Sequence, residues 1–232
     1  MTKWVVIFLL LCQGSFAQQQ LTAYSRATNK EKGDNLFKQN NNASQPVALQ
    51  TTADTSTNQS NGFEENLALQ DYKKALVLNP HDTLLLYHVG HCYAADTTYR
   101  LRDSALKYYN KAINYSKAFY EAYLDRGYLY ALQFGNNKKA HKDFEKSIEI
   151  KPENRFSYLY NGMLYYNEKE YKKAMQLYNK TIELNPDFGE AYYERSRVWY
   201  EMGINTMVCS DLDEASRLGF AEAVEAKKAF CQ

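Results

Sequence analysis

Apolar positions recur along this chain with the spacing of amphipathic helices. Around Gly162, the large residues Tyr158 and Tyr165 lie four positions before and three positions after the glycine. Residues spaced three and four apart fall on one side of an α-helix, so this pattern predicts a helix with one apolar stripe. The 232 residues include 21 tyrosines but only four prolines, a composition that suits long helices packed through aromatic rings.

The same order of residues occurs four times, centred on Gly90, Gly127, Gly162 and Ser196. Each centre is followed by a second stripe of small and large residues, and in two copies by a proline. Small residues let two antiparallel helices approach closely, and a proline ends the second helix because it lacks the next backbone N–H. Each copy therefore predicts a helical hairpin. Such a hairpin cannot bury its apolar face alone, so the hairpins must stack.

The sequences of these copies resemble the tetratricopeptide repeat family, in its exported bacterial form. The stretches AYLDRGYLY and YKKAMQLYNKTIELNP, the 34-residue period of the cleanest copy and the ending CSDLDEASRLGFAEA carry the resemblance. It covers residues 23–216 with gaps. It implies an all-α protein, an α-solenoid of about five tetratricopeptide hairpins. The repeats are expected over residues 63–216 and a capping helix over 217–232, since solenoids need a terminal cap.

A fifth copy is split by a polar segment. Residues 18–40 hold an N-terminal segment and the first helix of this copy, ending in GDNLFKQN, and its second helix contains Ala68 and Tyr72. The intervening residues 41–62 are rich in Asn, Gln, Ser and Thr, which cannot bury enough apolar surface to order themselves, so we expect a disordered insertion. The alternative is that the first helix does not pack and leaves a loose arm up to Gly62.

The first 17 residues have the features of a signal peptide. Lys3 precedes an apolar run, Trp4 to Cys12, and the small residues Ser15 and Ala17 then form a cleavage site. The run is too short to span a bilayer, so we expect an exported protein, periplasmic or secreted, with no stable membrane span after cleavage. An uncleaved anchor is the alternative. Lipid attachment at Cys12 is disfavoured because a large leucine precedes it.

Charge and cysteines narrow the picture further. The formal net charge is +1 and no basic stripe stands out, so nucleic acid is not an expected partner. Cys209 and Cys231 lie eleven positions before and after Phe220, near the predicted turn between the last two helices. Positions equidistant from a turn face each other in an antiparallel pair, so a disulfide is predicted in an oxidising compartment. Two buried thiols are the alternative.

Candidate chemistry is sparse. His88, His91 and Cys92 have a spacing that can place metal ligands on one helix. However, Gly90 and Tyr93 occupy packing positions of the repeat, which turns the three side chains in different directions. We therefore expect no metal, no cofactor and no enzymatic activity, and a metal-dependent enzyme that uses these three residues is the disfavoured alternative.

Four carboxylates lie on the predicted first helices of the last hairpins. Glu121, Asp125, Glu190 and Glu194 are expected on solvated helix faces, where they promote solubility. Asp34 after Lys30, and Glu121 and Asp125 at later positions, also argue against the family's basic groove for C-terminal carboxylates.

The resemblance implies that the first helix of each hairpin lines a concave groove. This groove would be strongly aromatic, and aromatic, Arg and Met side chains are favoured at interfaces. The expected function is an exported scaffold that binds an unknown protein or peptide. Self-association is the main alternative, and some of the aromatic rings could instead pack within the solenoid or beneath the cap. The implied groove residues are Leu84, Tyr87, His91, Leu124, Tyr128, Phe156, Leu159, Met163, Tyr166, Tyr193, Arg197 and Tyr200.

Overall fold

The computed structural model of the protein describes residues 60–95, 101–132 and 135–231, with side chains from residue 68 onwards. This part of the chain contains ten α-helices and no β-strand. The helices are α1 Ser60–Leu78, α2 Thr83–Ala95, α3 Arg102–Tyr115, α4 Tyr120–Leu132, α5 Asn137–Ile150, α6 Arg155–Asn167, α7 Tyr171–Leu184, α8 Gly189–Glu201, α9 Asn205–Arg217 and α10 Ala221–Phe230.

Consecutive helices pair into hairpins that stack in chain order. The closest pairs are α2 with α3, α4 with α5, α6 with α7 and α8 with α9, and each hairpin packs against the next. Helix α1 precedes the first hairpin in the position of a preceding second helix, and α10 packs on α9 at the other end. The expected solenoid of helical hairpins with a C-terminal capping helix is confirmed.

Local sequence signals place several helix ends. The side chain of Asn154 accepts hydrogen bonds from the backbone N–H of Phe156 and Ser157, which satisfies free donors at the start of α6. At the end of α9, Gly219 has a φ of +81° and the N–H of Phe220 bonds to the carbonyl of Ala215 at 2.9 Å. This arrangement is a Schellman ending, which favours glycine at the left-handed position. The predicted turn before the capping helix is therefore confirmed.

Glycines at the centres of three first helices lie against aromatic rings. A Cβ atom at Gly162 would stand 2.7 Å from a ring carbon of Tyr178, and one at Gly90 would stand 2.9 Å from Tyr109. Both rings are almost fully buried. The paired helices of these hairpins thus approach as closely as the repeat pattern predicted, and a larger residue would force them apart.

The last hairpin uses a different combination at the same position. Ser196 replaces the glycine, and the facing residue of the second helix is Leu212 rather than an aromatic residue. Both are buried, and the Ser196 hydroxyl donates to the carbonyl of Tyr193 at 2.6 Å. Serine is larger than glycine, but leucine is smaller than an aromatic residue. The two helices can therefore pack closely with either pair of residues.

Two arginines tie neighbouring hairpins together. Arg195 of α8 donates to both carboxylate oxygens of Asp211 in α9, at 2.8 and 2.7 Å, and to the side-chain oxygen of Asn179 in α7 at 2.7 Å. Arg126 of α4 makes the equivalent bonds to Asp143 and Asn110, at 2.6–2.7 Å. Bidentate arginine–carboxylate pairs are strong and directional, so each fixes three helices at once.

The expectations for the N-terminal part of the chain lie outside the described residues. These are the signal peptide at 1–17, the segment at 18–40 and nearly all of the polar insertion at 41–62, and they stay predictions. The first described helix begins at Ser60, near the C-terminal boundary expected for that insertion. Within the described ranges, no helix combines the length and apolar character that crossing a bilayer requires.

Candidate partner-binding groove

The first helices α2, α4, α6 and α8 form one face of the solenoid. Neighbouring first helices approach each other more closely than neighbouring second helices do. The stack therefore curves with the first helices on the inside, as small rotations between repeats produce in solenoids. We call this concave side the inner face.

The twelve residues predicted to line the groove differ in exposure. Leu84 and Tyr200 are exposed, at 39% and 38%. Seven others are half-buried and keep part of their surface accessible. We call these nine residues the aromatic groove: Leu84, His91, Tyr128, Phe156, Met163, Tyr166, Tyr193, Arg197 and Tyr200.

The remaining three predicted groove residues belong to the core. Tyr87, Leu124 and Leu159 are 3%, 1% and 0% exposed. Each lies three positions before the central glycine, where the side chain points between its own hairpin and the next. They therefore stabilise the stack and offer no surface to a partner, so the prediction is wrong for these three residues.

Rings from successive first helices contact each other along the groove. Tyr128 of α4 lies 5.0 Å from Tyr160 of α6, measured between ring centroids. Further along, the guanidinium of Arg197 in α8 lies 4.3 Å from the ring centroid of Tyr166 in α6. These contacts fix the orientation of rings that remain partly accessible, which lowers the entropy lost when a ligand binds.

The capping helix covers the last part of the groove. Phe220 packs against Tyr193 with centroids 5.1 Å apart, and Phe230 packs edge-on against Tyr200 at 5.2 Å. A cleft of about 240 Å³, counted with the space open to solvent, lies between α8, α9 and α10 next to Arg197. The sequence predicted that the cap could cover aromatic residues. It did not indicate that Phe220 and Phe230 are the residues that contact them.

The capping helix is also placed for a covalent link to the last repeat. The sulfur atoms of Cys209 and Cys231 are at bonding distance, with their Cα atoms 5.6 Å apart. The predicted pair is thus geometrically compatible with a disulfide. Because α10 places Phe230 against Tyr200, this link would hold α10 at the C-terminal end of the groove, where Tyr200 stays 38% exposed.

Three of the four carboxylates expected in solvent are buried. Asp125, Glu190 and Glu194 are 8%, 9% and 0% exposed, while Glu121 is half-buried. Asp125 accepts a hydrogen bond of 2.8 Å from the Tyr87 hydroxyl. The expectation of solvated faces is wrong because these three side chains are covered by residues of neighbouring helices, which the periodicity of a single helix does not reveal.

Glu194 and Glu190 lie one turn apart on α8 but differ in the groups that interact with their carboxylates. One oxygen of Glu194 accepts a 2.7 Å hydrogen bond from Arg197. For Glu190, burial raises the pKa of the carboxyl to about 8, together with the nearby carboxylates of Glu194 and Glu222, while Arg155 acts in the opposite direction. Desolvation disfavours a charged carboxylate, so this group favours its protonated form at neutral pH.

A tyrosine of α4 that interacts with Glu190 also has a raised pKa. The pKa of Tyr128 is raised by burial, with further contributions from Glu190 and Asp125. Tyr128 therefore stays a neutral hydroxyl and can donate a hydrogen bond at physiological pH.

The three residues of the alternative metal site do not converge. His88 is buried and stacks on Tyr72 at 5.0 Å, whereas His91 and Cys92 are half-buried. In the part of the chain that the structure describes, no group of three or more His, Cys, Asp or Glu residues could hold a metal ion.

Comparison with known families identifies the repeats. The tetratricopeptide repeat pattern matches residues 120–154 and 156–188, which are the hairpins α4–α5 and α6–α7. Residues 120–188 therefore contain two tetratricopeptide repeats. Proteins built from these repeats generally mediate protein–protein interactions and are generally not enzymes.

Similar proteins share the repeat architecture. Anaphase-promoting complex subunit 3 of Schizosaccharomyces pombe is 28% identical over 135 residues, which are 58% of this chain and 20% of that protein. This chain thus spans a fifth of that relative's length. The crystal structure of MamA superposes with a TM-score of 0.60 at 22% identity, covering 74% of this chain and 94% of MamA.

A second solved structure bears on ligand binding. YrrB, described as a tetratricopeptide repeat protein with an unusual peptide-binding site, has a TM-score of 0.57 at 21% identity. The match covers 73% of this chain and 86% of YrrB. At this identity the similarity establishes the fold of the described repeats.

Proposed function

We propose that this protein is a binding scaffold that holds an extended segment of another protein in its aromatic groove. The observation that carries the proposal is the row of partly accessible rings on the inner faces of α4, α6 and α8, held in place by neighbouring side chains. Pre-oriented aromatic and arginine side chains supply most of the binding energy at protein interfaces. The peptide-binding site of YrrB, which shares this fold, supports the same kind of ligand.

The proposal is tested by selecting binders from a random peptide library displayed against the full chain. Tyr166→Ala and Tyr200→Ala are expected to weaken binding of the selected peptides at least about tenfold, because each removes a large ring from the groove. Affinity is measured by fluorescence anisotropy of labelled peptides.

Tyr115→Ala is the matched control. Tyr115 is 53% exposed at the end of the second helix α3, where it packs against His81 rather than in the groove. This variant is expected to bind as the unmodified chain does. Equal binding by all three variants would show that peptides do not use the groove. A chain that fills its own groove would instead form oligomers that the selected peptides dissociate, which sedimentation would detect.

The proposed site of action is outside the cytoplasm, after removal of residues 1–17. The signal-peptide features of the N-terminus and the disulfide-compatible pair Cys209–Cys231 support export, because disulfides persist in oxidising compartments. N-terminal sequencing of the protein recovered from a bacterial host is expected to start at Gln18. A chain recovered intact from the cytoplasm would contradict export.

A further inference from the structure

Glu190 lies where several elements of the inner face meet. It stands in the first turn of α8, and its carboxylate is close enough to interact electrostatically with Tyr128 of α4, Arg155 at the start of α6 and Glu222 of α10. Tyr178 of α7 interacts with Glu190 as well, so groups on four other helices interact electrostatically with this one acidic side chain. Glu190 is 9% exposed, so a small part of its side chain remains accessible.

The carboxylate of Glu190 makes no hydrogen bond and no ion pair to any described residue of the chain. Of the other two buried carboxylates nearby, Asp125 is bonded to Tyr87, and one oxygen of Glu194 is bonded to Arg197 while its second oxygen has no hydrogen-bond partner among the described residues. Burying a carboxylate without a partner opposes folding, and native proteins rarely keep such a group. A buried carboxyl that bonds to none of the described residues points to a partner outside those residues.

Arg155, the cation that interacts electrostatically with Glu190, packs against aromatic rings. The guanidinium of Arg155 lies over the rings of Phe156 and Phe188, 4.5 and 5.0 Å from their centroids. These two rings meet edge-on at 5.6 Å. Aromatic faces and carboxylates in one place favour a positively charged group, because both present negative potential to it.

We propose that Glu190 binds the cationic side chain of a lysine or arginine carried by the segment that occupies the groove. The proposal rests on the proposed binding function and adds the chemistry of one partner residue. Once Glu190 is deprotonated, Glu190, Glu194 and Glu222 supply three carboxylates against the two guanidinium groups of Arg155 and Arg197. A basic side chain would balance this excess, whereas an acidic segment would be repelled.

The protonation of Glu190 adds a second observable. The charged or titratable groups that interact with it are Tyr128 on α4, Arg155 on α6, Tyr178 on α7, Glu194 on α8 and Glu222 on α10. With its pKa raised to about 8, Glu190 carries a proton in the empty groove at pH 7. A bound cation stabilises the carboxylate, so binding releases this proton, and affinity rises by up to about tenfold per pH unit towards pH 8.

The test compares peptides selected against the full chain with variants in which each arginine is replaced by citrulline, a neutral side chain of the same shape. One citrulline replacement is expected to weaken binding to the unmodified chain at least about tenfold, because it removes the charge that pairs with Glu190. The same replacement should change binding to Glu190→Gln by less than about twofold. Isothermal titration in two buffers of different ionisation enthalpy should show proton release for the unmodified chain and none for Glu190→Gln.

Glu183→Gln is the matched charge control. Glu183 lies in the second helix α7 with an exposed side chain paired to Lys180, so this variant removes the same charge outside the groove. Selected peptides without a basic residue, or equal citrulline effects in the unmodified chain and Glu190→Gln, would overturn the Glu190 proposal. If peptides bind but ignore Tyr166→Ala and Tyr200→Ala, the proposed function itself fails, and the two failures are distinguishable.

Discussion

At the residue scale, contacts of a few ångströms decide how this protein packs. Gly162 leaves room for the Tyr178 ring, and the hydroxyl-bearing ring is fully buried as a result. Burial raises the pKa of Tyr178 well above its usual value, with Glu194 contributing in the same direction. Buried polar groups near one another, such as Tyr178 and Glu194, make the centre of the last two hairpins sensitive to small changes.

Glu190 should make the stability of the protein depend on pH. Its pKa of about 8 in the folded chain lies above the value near 4.5 of an ordinary glutamate. The folded state therefore binds a proton that the unfolded state has lost, and stability falls as pH rises between these two values. The free energy of unfolding of Glu190→Gln is expected to equal that of the unmodified chain below about pH 4.5. Above pH 8 the variant should be more stable by up to about 5 kcal/mol, because each unit of difference between the folded and unfolded pKa corresponds to about 1.36 kcal/mol.

Urea denaturation followed by circular dichroism at pH 5, 7 and 9 measures this difference. Glu183→Gln serves as the control, because its exposed pair with Lys180 contributes little to stability. A difference between Glu190→Gln and the unmodified chain that stays constant with pH would contradict a raised pKa of Glu190 in the folded state.

At the element scale, the ends of the helices determine how far each hairpin extends. The turn after α6 places Lys169 at a φ of 63°, where the corresponding positions after α8 and α9 are glycines, Gly203 and Gly219. Non-glycine residues occupy this left-handed region at a cost, so this turn forms although its sequence does not favour it. We infer that packing of the hairpin α6–α7 offsets the conformational cost at Lys169.

The capping helix α10 should depend on the pair Cys209–Cys231 for its stability. A bond across a sequence separation of 22 residues is expected to add about 3 kcal/mol by the loss of chain entropy in the unfolded state. Dithiothreitol should therefore lower the urea midpoint of the unmodified chain. Cys209→Ser should show the lower midpoint with or without reductant.

Cys92→Ser is the control for this prediction, since Cys92 lies in α2, far along the chain from the pair. It should respond to dithiothreitol as the unmodified chain does. Identical midpoints of the unmodified chain with and without reductant, after exposure to air, would mean that the pair does not form a bond.

At the scale of the whole molecule, the groove is a product of stacking. No single hairpin contains it, because α4, α6 and α8 contribute rings to one continuous inner face and α10 covers its end. The arginine ties of Arg126 and Arg195 each connect three consecutive helices and so preserve the spacing between hairpins. Binding of a segment along this face would depend on the curvature of the stack as well as on the groove residues.

Much of this architecture follows from the sequence. The spacing of Gly, Ala, Tyr and Pro predicted the hairpins, because these residues form the contacts within a repeat and the same contacts recur in each copy. The positions of Cys209 and Cys231 about Phe220 predicted a compatible pair, because both lie in one antiparallel hairpin. The exposure of individual groove residues was predicted less well, and Tyr87, Leu124 and Leu159 turned out to be core.

The sequence by itself therefore determined the repeat, the helices and the order in which they stack. The tertiary structure alone decided which inward side chains are accessible and which carboxylates are buried, including Glu190. The physical reason is that helix periodicity depends on neighbours three and four positions apart, whereas burial depends on residues brought together from different hairpins. Tyr128, Arg155 and Glu222 interact electrostatically with Glu190 although they are far from it in the sequence.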